Sequence, residues 1–282
     1  MDRLPCLEDD GYETPEIGSW GEDKYERIRY YTLEFLNATK NRWDCRVYID
    51  LFAGSGRGKI KGTNKILNGS PLIALKASPP FNRYIFCESN IDLLDALIKR
   101  VFREHPGFPV EFIPGDVNKN VKLILDKIPT PSKSFKVLSF CVVDPFKADN
   151  LKFLTIAELS KIFVDFFVLI PSYMDFHRNP KNYINQSSRV VEEFLGNANW
   201  RDAWRVAEAK GDEFSIFIVK EFGKQMARLN YIDKGLGGAA KICQPENRSP
   251  LYHLALYSRS ELGSFLWEEA KKYTDPQLDL PF

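Results

Sequence analysis

The sequence lacks the patterns that mark metal-binding and disulfide-rich proteins. Its 282 residues include only three histidines and five cysteines, and no two of the cysteines form a CxxC pair. An odd and scattered set of cysteines is typical of reduced thiols rather than of a disulfide framework or a zinc site. We therefore expect neither a structural metal nor a disulfide. The cysteines are Cys6, Cys45, Cys87, Cys141 and Cys243.

Long apolar runs and an excess of one charge are missing too. The longest apolar stretch, around residues 159–171, is interrupted by Lys161 and Asp165 and is too short for a membrane span. Four of the first ten residues are acidic, unlike a cationic leader. Lys and Arg number 39 against 38 Asp and Glu, which argues against a generally basic nucleic-acid-binding surface. We expect a soluble, cytoplasmic protein with no membrane partner.

Apolar runs and helical patterns alternate over the first 170 residues. This alternation predicts βαβ units and a parallel sheet. Most of the runs are continuously apolar, as expected for strands covered on both faces. The stretch 57–68 is predicted to be a loop. Predicted strands cover residues 46–50, 83–87, 110–113, 135–143 and 165–170, and predicted helices cover 24–39, 70–77, 91–104, 121–128 and 154–163.

The remainder of the chain has another character. Residues 175–234 are polar, dotted with aromatic side chains and helical by pattern, with 214–229 as the clearest helix. Two apolar runs, 239–244 and 251–258, predict a β-hairpin, and a final helix is expected over 261–273. We therefore predict an α/β fold with a mostly parallel sheet, an antiparallel C-terminal hairpin strand, an N-terminal helix and a helical insertion. The predicted organisation is an arm and helix over 1–45, followed by an α/β domain over 46–282 that contains the insertion at about 175–234.

A glycine-rich loop, Asp50-Leu-Phe-Ala-Gly54-Ser-Gly56-Arg-Gly58, follows the first predicted strand. Ligands of open parallel sheets bind at the carboxyl ends of the strands, where glycine lets the backbone approach closely. The GxGxG spacing does not match the dinucleotide fingerprint, and Gly58-Lys-Ile60 lacks the hydroxyl of a P-loop. The acid-led form resembles the glycine loop of class I S-adenosylmethionine (SAM) methyltransferases. The alternative is a tight strand-to-helix turn without a ligand.

Acidic residues follow the second and third predicted strands as well. Glu88 stands where a carboxylate can accept hydrogen bonds from both ribose hydroxyls, although it could instead cap the next helix. Asp116 adds a polar group to the same edge, and the equivalent acid of methyltransferases lies beside the adenine amino group. Three acids at successive strand ends favour a cofactor-binding edge. Its predicted residues are Asp50, Phe52, Ala53, Gly54, Gly56, Glu88, Asp116 and Val117.

The fourth and fifth predicted strands are followed by candidates for the acceptor side. Asp144-Pro145-Phe146 resembles the (Asp/Asn)-Pro-Pro-(Tyr/Phe) motif of amino-group methyltransferases, with one proline instead of two, and supplies the candidate catalytic residues. The alternative is a proline-terminated strand with a core phenylalanine. After the fifth strand, Ser172, Asp175 and Arg178 are further acceptor-side candidates. His177 could act as a base near neutral pH, or be a surface histidine without a role.

The order of these blocks is similar to that of the three-Cys-motif partner proteins (TcmP). The similarity runs from about Glu16 to Trp267, and its blocks include Tyr48-Ile-Asp-Leu-Phe-Ala-Gly54, Gly69-Ser-Pro71-Leu-Ile-Ala-Leu75, Phe86-Cys-Glu88, Gly115-Asp-Val-Asn118, Asp144-Pro-Phe146, Phe194-Leu-Gly196 and Leu251-Tyr-His-Leu-Ala-Leu256. The family usually has FAGPG where this chain has Phe52-Ala-Gly-Ser-Gly56. The resemblance implies a Rossmann-like class I methyltransferase fold, S-adenosyl-L-methionine as cofactor, and a radical-SAM-like partner that bears the three-cysteine motif.

Three functions stay open at this point. The first is a SAM-dependent methyltransferase of undefined acceptor that works with the three-Cys-motif partner. The second is a non-catalytic SAM-binding partner or scaffold protein. The third is a nucleic-acid-modifying methyltransferase, suggested by the basic residues Lys59, Lys61 and Lys65.

Overall fold

The computed structural model describes residues 4–178 and 180–274. The chain divides into two compact units, the first made of Met1–Val142 with Phe265–Phe282 and the second of Val143–Ser264. The first unit begins with β1 (Glu16–Ile17), α1 (Gly21–Thr39), β2 (Cys45–Asp50), β3 (Arg57–Ile60), β4 (Ile66–Asn68) and α2 (Ser70–Leu75). It continues with β5 (Arg83–Glu88), α3 (Ile91–Glu104), β6 (Val110–Pro114), α4 (Val117–Asp126) and β7 (Val137–Val143).

The main sheet of the first unit is parallel. Its strands lie in the order β6-β5-β2-β7, which is the order 3-2-1-4 of a Rossmann-like sheet. All seven residues of β7 and five of the six in β2 are buried, so the continuous apolar runs do report strands covered on both faces. Helix α1 packs aromatic rings against one face of this sheet. The ring centroids of Tyr31 and Phe35 lie 5.2 Å and 5.3 Å, respectively, from that of Phe140.

The prediction of a loop over residues 57–68 was wrong. This stretch contains the antiparallel pair β3 and β4, and β1 adds a third strand in parallel. The strands are two to four residues long and include lysine and glycine, so they carry neither a periodicity nor a β-rich composition. Gly58 has a structural role here, since a Cβ at this position would lie 2.7 Å from the Cδ1 atom of Ile17.

The second unit contains an antiparallel sheet and most of the remaining helices. Strand β10 pairs antiparallel with β8 and β9, which confirms the predicted C-terminal hairpin. The described residues of 175–234 are mostly helical, as predicted. The elements are α5 (Phe153–Leu159), β8 (Val164–Ile170), α6 (Pro180–Ile184), α7 (Val190–Leu195), α8 (Trp200–Glu208), α9 (Phe214–Arg228), α10 (Gly235–Gly238), β9 (Ala239–Cys243) and β10 (Pro250–Tyr257), with a short 3-10 helix over Ala148–Asn150 and a π-helix over Ser172–His177. The last helix, α11 (Glu261–Thr274), belongs to the first unit from Phe265 onward.

The chain is thus a mixed α/β protein with a mostly parallel sheet, a C-terminal antiparallel hairpin strand and a helical insertion, as the sequence predicts. Most helix and strand ends fall within a few residues of the expected positions. Helix α4 is an exception, because it begins at Val117 instead of 121, where Asp116 accepts a hydrogen bond from the backbone N–H of Asn118 at 2.9 Å. Among the described helices, none combines the length and apolarity needed to cross a membrane.

Asp165, on β8, is a buried carboxyl that makes stability depend on pH. Burial raises its pKa to about 7, against the opposing effects of the Ser258 hydrogen bond and the Arg259 charge. Between its ordinary pKa of 3.8 and the raised value, the folded state binds more protons than the unfolded state. The contribution of this carboxyl to the free energy of unfolding therefore falls as pH rises through that window.

The substitution Asp165→Asn removes this penalty. Urea unfolding should show the variant gaining stability relative to the parent from pH 4 to pH 8, by about 4 kcal/mol in total, since the pKa rises from 3.8 to about 7 and one pKa unit corresponds to about 1.4 kcal/mol. The control is Asp202→Asn, whose side chain is 71% exposed. If the stability difference between Asp165→Asn and the parent does not change with pH, the carboxyl does not titrate as described.

Candidate functional site

The register of the parallel strands brings the predicted acids of the first unit to one edge. Asp50 of β2 pairs with Phe86 of β5, and Glu88 of β5 pairs with Pro114 of β6. The carboxyl ends of three neighbouring strands therefore lie side by side, as the sequence predicts. Burial raises the pKa of the Cys87 thiol to about 12, and the negative charges of Glu88, Asp116 and Asp50 act in the same direction. All three acids thus contribute to one local negative potential.

The glycine loop after β2 is anchored to the end of β5. The backbone N–H of Ala53 donates to the carbonyl of Cys87 at 2.9 Å, and that of Gly54 donates to Oε2 of Glu88 at 2.8 Å. Gly54 has φ +59°, and a Cβ built on it would meet nothing within 4 Å. Its backbone therefore faces open space, as a ligand-binding glycine requires.

Gly56 has a different role from Gly54. It too has a positive φ, +78°, but its Cβ would lie 2.7 Å from Cδ1 of Leu97 and 3.1 Å from Cγ of Leu72. This glycine therefore lets the loop pack against α2 and α3. In addition, its carbonyl accepts a hydrogen bond from the N–H of Gly69 at 2.7 Å.

Asp50 supports the loop from within the protein. It is fully buried, and its carboxylate lies 3.3 Å from the backbone N–H of Phe52 and 3.3 Å from the hydroxyl of Tyr48. Burial, followed by the charge of Asp50, raises the pKa of Tyr48, which keeps this hydroxyl protonated and able to donate. Phe52 is half-buried and Ala53 is buried.

Glu88 holds the loop and remains partly accessible. Its Oε1 accepts from the backbone N–H of Asn90 at 2.8 Å, while Oε2 holds Gly54. The alternative role as the cap of α3 belongs instead to Asn90, whose side chain accepts from the N–H groups of Asp92 and Leu93. A carboxylate has about four acceptor positions, so Glu88 can accept further hydrogen bonds from a ligand.

Asp116 has both a structural role and an exposed position. Its Oδ1 caps α4 through the backbone N–H of Asn118 and also lies 2.9 Å from the side-chain amide of that residue. The residue as a whole is exposed, whereas the adjoining Val117 is 3% exposed. The third acid of the edge is therefore fixed in place by the start of a helix.

In the second unit, the structure excludes one interpretation of Asp144-Pro145-Phe146. Phe146 is 83% exposed, so it is not a core residue, whereas Pro145 is buried and Asp144 is half-buried. An exposed aromatic ring beside a buried proline is compatible with contact to a planar acceptor. The catalytic role of these three residues stays a prediction.

The other acceptor-side candidates have bonds within the second unit. The hydroxyl of Ser172 is buried and lies 2.8 Å from Nδ1 of His253, whose pKa burial lowers to about 4. Asp175 accepts hydrogen bonds from the backbone N–H of Ala148 and from the hydroxyl of Tyr183. Arg178 is exposed.

The histidine and one of the lysines singled out in the sequence lie against other side chains. His177 is exposed, with its ring 5.3 Å from that of Tyr173. Of the three lysines considered for nucleic acid, Lys65 forms an ion pair with Glu22 at 2.5 Å. No group of His, Cys, Asp and Glu among residues 4–178 and 180–274 could hold a metal ion.

Sequence reasoning missed Arg100, a fully buried arginine of α3 that donates to the carbonyl of Ser55 at 2.7 Å. The glycine loop is thus bonded on two sides, at Gly54 by Glu88 and at Ser55 by Arg100. One signal could have revealed it. Arg100 stands three residues after Leu97, on the apolar face of an amphipathic helix. An arginine in such a position needs hydrogen-bond acceptors around its guanidinium group.

Comparisons with known proteins identify structural likenesses only. No protein-family model matches the chain, and no curated protein matches it. A Legionella pneumophila protein of family-model DUF519 is 14% identical, with 89% of this chain and 93% of that chain covered and a TM-score of 0.45. An O-methyltransferase from Bacillus cereus in complex with SAH is 10% identical (82% and 80% covered, TM-score 0.46), and the O-methyltransferase TomG from Streptomyces achromogenes in complex with SAM is 11% identical (91% and 93%, 0.44). At these identities and TM-scores, the likenesses do not assign a function to the chain.

Proposed function

We propose that the first unit binds SAM at the edge formed by the ends of β2, β5 and β6, and that the protein is a SAM-dependent methyltransferase. One observation carries the proposal: the amide of Gly54 is held by the carboxylate of Glu88 at 2.8 Å, while the space beside Gly54 is open. A glycine backbone and an acid at the end of the next strand are what an adenosine-bearing ligand needs in a Rossmann-like sheet.

The proposed assignment gives each residue one part of the cofactor. The open backbone at Gly54 receives the methionine moiety, Glu88 accepts hydrogen bonds from the ribose hydroxyls, and Asp116 lies at the adenine amino group. Asp50 and Gly56 keep the loop in shape, and Phe52, Ala53 and Val117 line the site. Bound SAM supplies an electrophilic methyl group. The contribution of the chain is to position the acceptor against it, because alignment alone removes much of a reaction barrier.

The acceptor side is proposed from the sequence pattern. Phe146, with Asp144 and Pro145, would contact the acceptor, and Ser172, Asp175 and Arg178 are secondary candidates. The exposed ring of Phe146 supports this assignment, since stacking on a planar acceptor needs an accessible aromatic face.

The substitution Glu88→Gln tests the ribose assignment. Because an amide nitrogen replaces one acceptor oxygen, we expect the SAM dissociation constant, measured by calorimetry, to rise by about tenfold or more. The matched control is Glu111→Gln, at the second residue of β6, where the glutamate forms ion pairs with Arg83 and Lys127. Equal SAM affinity in the Glu88 variant and the parent would remove Glu88 from the site.

The substitution Gly54→Ala tests whether the open space beside the loop is the ligand site. Gly54 and Gly62 both have positive φ and open space at Cβ, so alanine should destabilise the folded chain at both positions by about 1 kcal/mol. Only at Gly54 would the added methyl group meet the cofactor. We expect a more than tenfold loss of SAM affinity for Gly54→Ala and none for Gly62→Ala, and similar affinities of the two would contradict the assignment.

The proposed partner is a radical-SAM-like protein with a three-Cys motif, as the sequence resemblance implies. Transfer of labelled methyl groups from SAM, measured for this protein alone, for the partner alone and for their mixture, separates the open functions. Transfer by this protein, alone or in the mixture, and its loss in Gly54→Ala support a methyltransferase. SAM binding without transfer in any of the three supports the non-catalytic scaffold instead. A nucleic-acid acceptor would be indicated by binding that weakens steeply with salt.

A further inference from the structure

The N-terminal arm, residues 4–20, is bound to the first unit through Arg100. The guanidinium of Arg100 contacts both carboxylate oxygens of Asp10, with Nε at 2.8 Å and Nη2 at 2.7 Å. The same group lies within hydrogen-bond distance of the carbonyls of Tyr12 and Glu13 and of the hydroxyl of Thr14. A buried arginine is stable only if its donors are satisfied, and here the arm supplies most of the acceptors.

The remaining acceptor belongs to the glycine loop. Nη1 of Arg100 donates to the carbonyl of Ser55 at 2.7 Å, next to Gly54. One guanidinium therefore holds the arm and the loop together. On the other side of Gly54, Glu88 holds the amide at 2.8 Å. Gly54 is thus fixed between two charged side chains that belong to α3 and β5.

A second arginine strengthens this connection. Arg57, at the end of the loop, lies 3.0 Å from Asp10 through Nη1 and 2.7 Å from Glu104 through Nη2. Burial by itself would raise the pKa of Asp10, but the hydrogen bond and charge of Arg100, together with Arg57, bring it well below its ordinary value. Asp10 therefore stays ionised over the physiological pH range, and its contacts with Arg100 and Arg57 persist.

Backbone pairing extends the contact beyond the charged cluster. The N–H of Lys59 donates to the carbonyl of Pro15 at 2.9 Å, and the side chain of Ile17 fills the space that Gly58 leaves free. The arm therefore contacts the loop and the adjoining strand β3 through both side chains and backbone. With these contacts, the arm is a packed part of the first unit.

From this geometry we propose that Arg100 is a positioning residue of the cofactor site, through which docking of the N-terminal arm fixes the glycine loop for SAM. The inference rests on the proposed function. It has a reciprocal consequence: if arm docking raises the affinity for SAM, then bound SAM must stabilise the docked arm by the same free energy. A purely structural salt bridge would not respond to SAM.

The test uses full-length variants Arg100→Lys and Asp10→Asn. Lysine keeps the charge but cannot bond Asp10, the arm carbonyls and Ser55 at once, and asparagine keeps the shape of Asp10 without its charge. The matched control is Arg103→Gln, which removes an arginine that contacts Asp10 and Glu104 from the same helix. It leaves the bonds of Arg100 to Ser55 intact.

Three quantities are measured on each variant: thermal stability, hydrogen exchange of the amides at residues 52–58 and 10–14, and SAM affinity by calorimetry. We expect both test variants to exchange the Gly54 and Ser55 amides faster without ligand and to bind SAM about tenfold more weakly. Arg103→Gln should stay within about twofold of the parent. In the parent, SAM should slow exchange at residues 10–14.

The outcomes separate this inference from the function on which it rests. If the parent does not bind SAM, the proposed function and the coupling both fall, while exchange at residues 52–58 still decides whether the arm holds the loop. If the parent binds SAM, the test variants are compared with Arg103→Gln. Equal exchange at residues 52–58, or equal SAM affinity, would show that Arg100 is not a positioning residue. Unchanged exchange at residues 10–14 on adding SAM would overturn the coupling. A variant that does not fold is replaced by Thr14→Val, which removes one arm acceptor.

Discussion

Parallel register between β2, β5 and β6 is the constraint on which the candidate site depends. Because these strands run in one direction and pair without a shift, their last residues reach the same edge together. A slip of one residue would turn Asp50 or Glu88 to the opposite face of the sheet. The buried aliphatic and aromatic side chains of these strands fix the register, so the site is positioned by the core of the first unit rather than by its own polar contacts.

Charged groups then define the shape of the loop that leaves this edge. Asp50 lies beneath it, Glu88 holds Gly54, and Arg100 holds Ser55. Burying a charged group is unfavourable unless it is paired and hydrogen-bonded. Removing one member of a pair therefore leaves the other charge buried without compensation. These three charged groups together hold the loop in one conformation, which suits a site that must present backbone groups to a ligand.

Capping of the helices that follow the strands separates the roles of Glu88 and Asp116 at this edge. Asn90 caps α3, which leaves Glu88 available, whereas Asp116 caps α4 with one oxygen and is exposed to solvent. The two acids look alike in the sequence, since each follows a strand and precedes a helix. The difference arises because Glu88 is the last residue of β5, two residues before the cap Asn90, whereas Asp116 itself occupies the N-cap position of α4.

The α/β class, the strand-helix alternation and the convergence of acids at one edge could be predicted from the amino-acid sequence, because apolar runs and strand-end residues are local signals. The sequence did not predict the three-stranded sheet of β1, β3 and β4, whose strands are too short for a period, or the separate roles of Gly54 and Gly56, which depend on what lies beside each Cβ. Only the tertiary structure placed Asp10 against Arg100, since the two are 90 residues apart and their pairing requires the packed arm and helix. Local patterns specify elements, whereas contacts between distant residues exist only once those elements are packed.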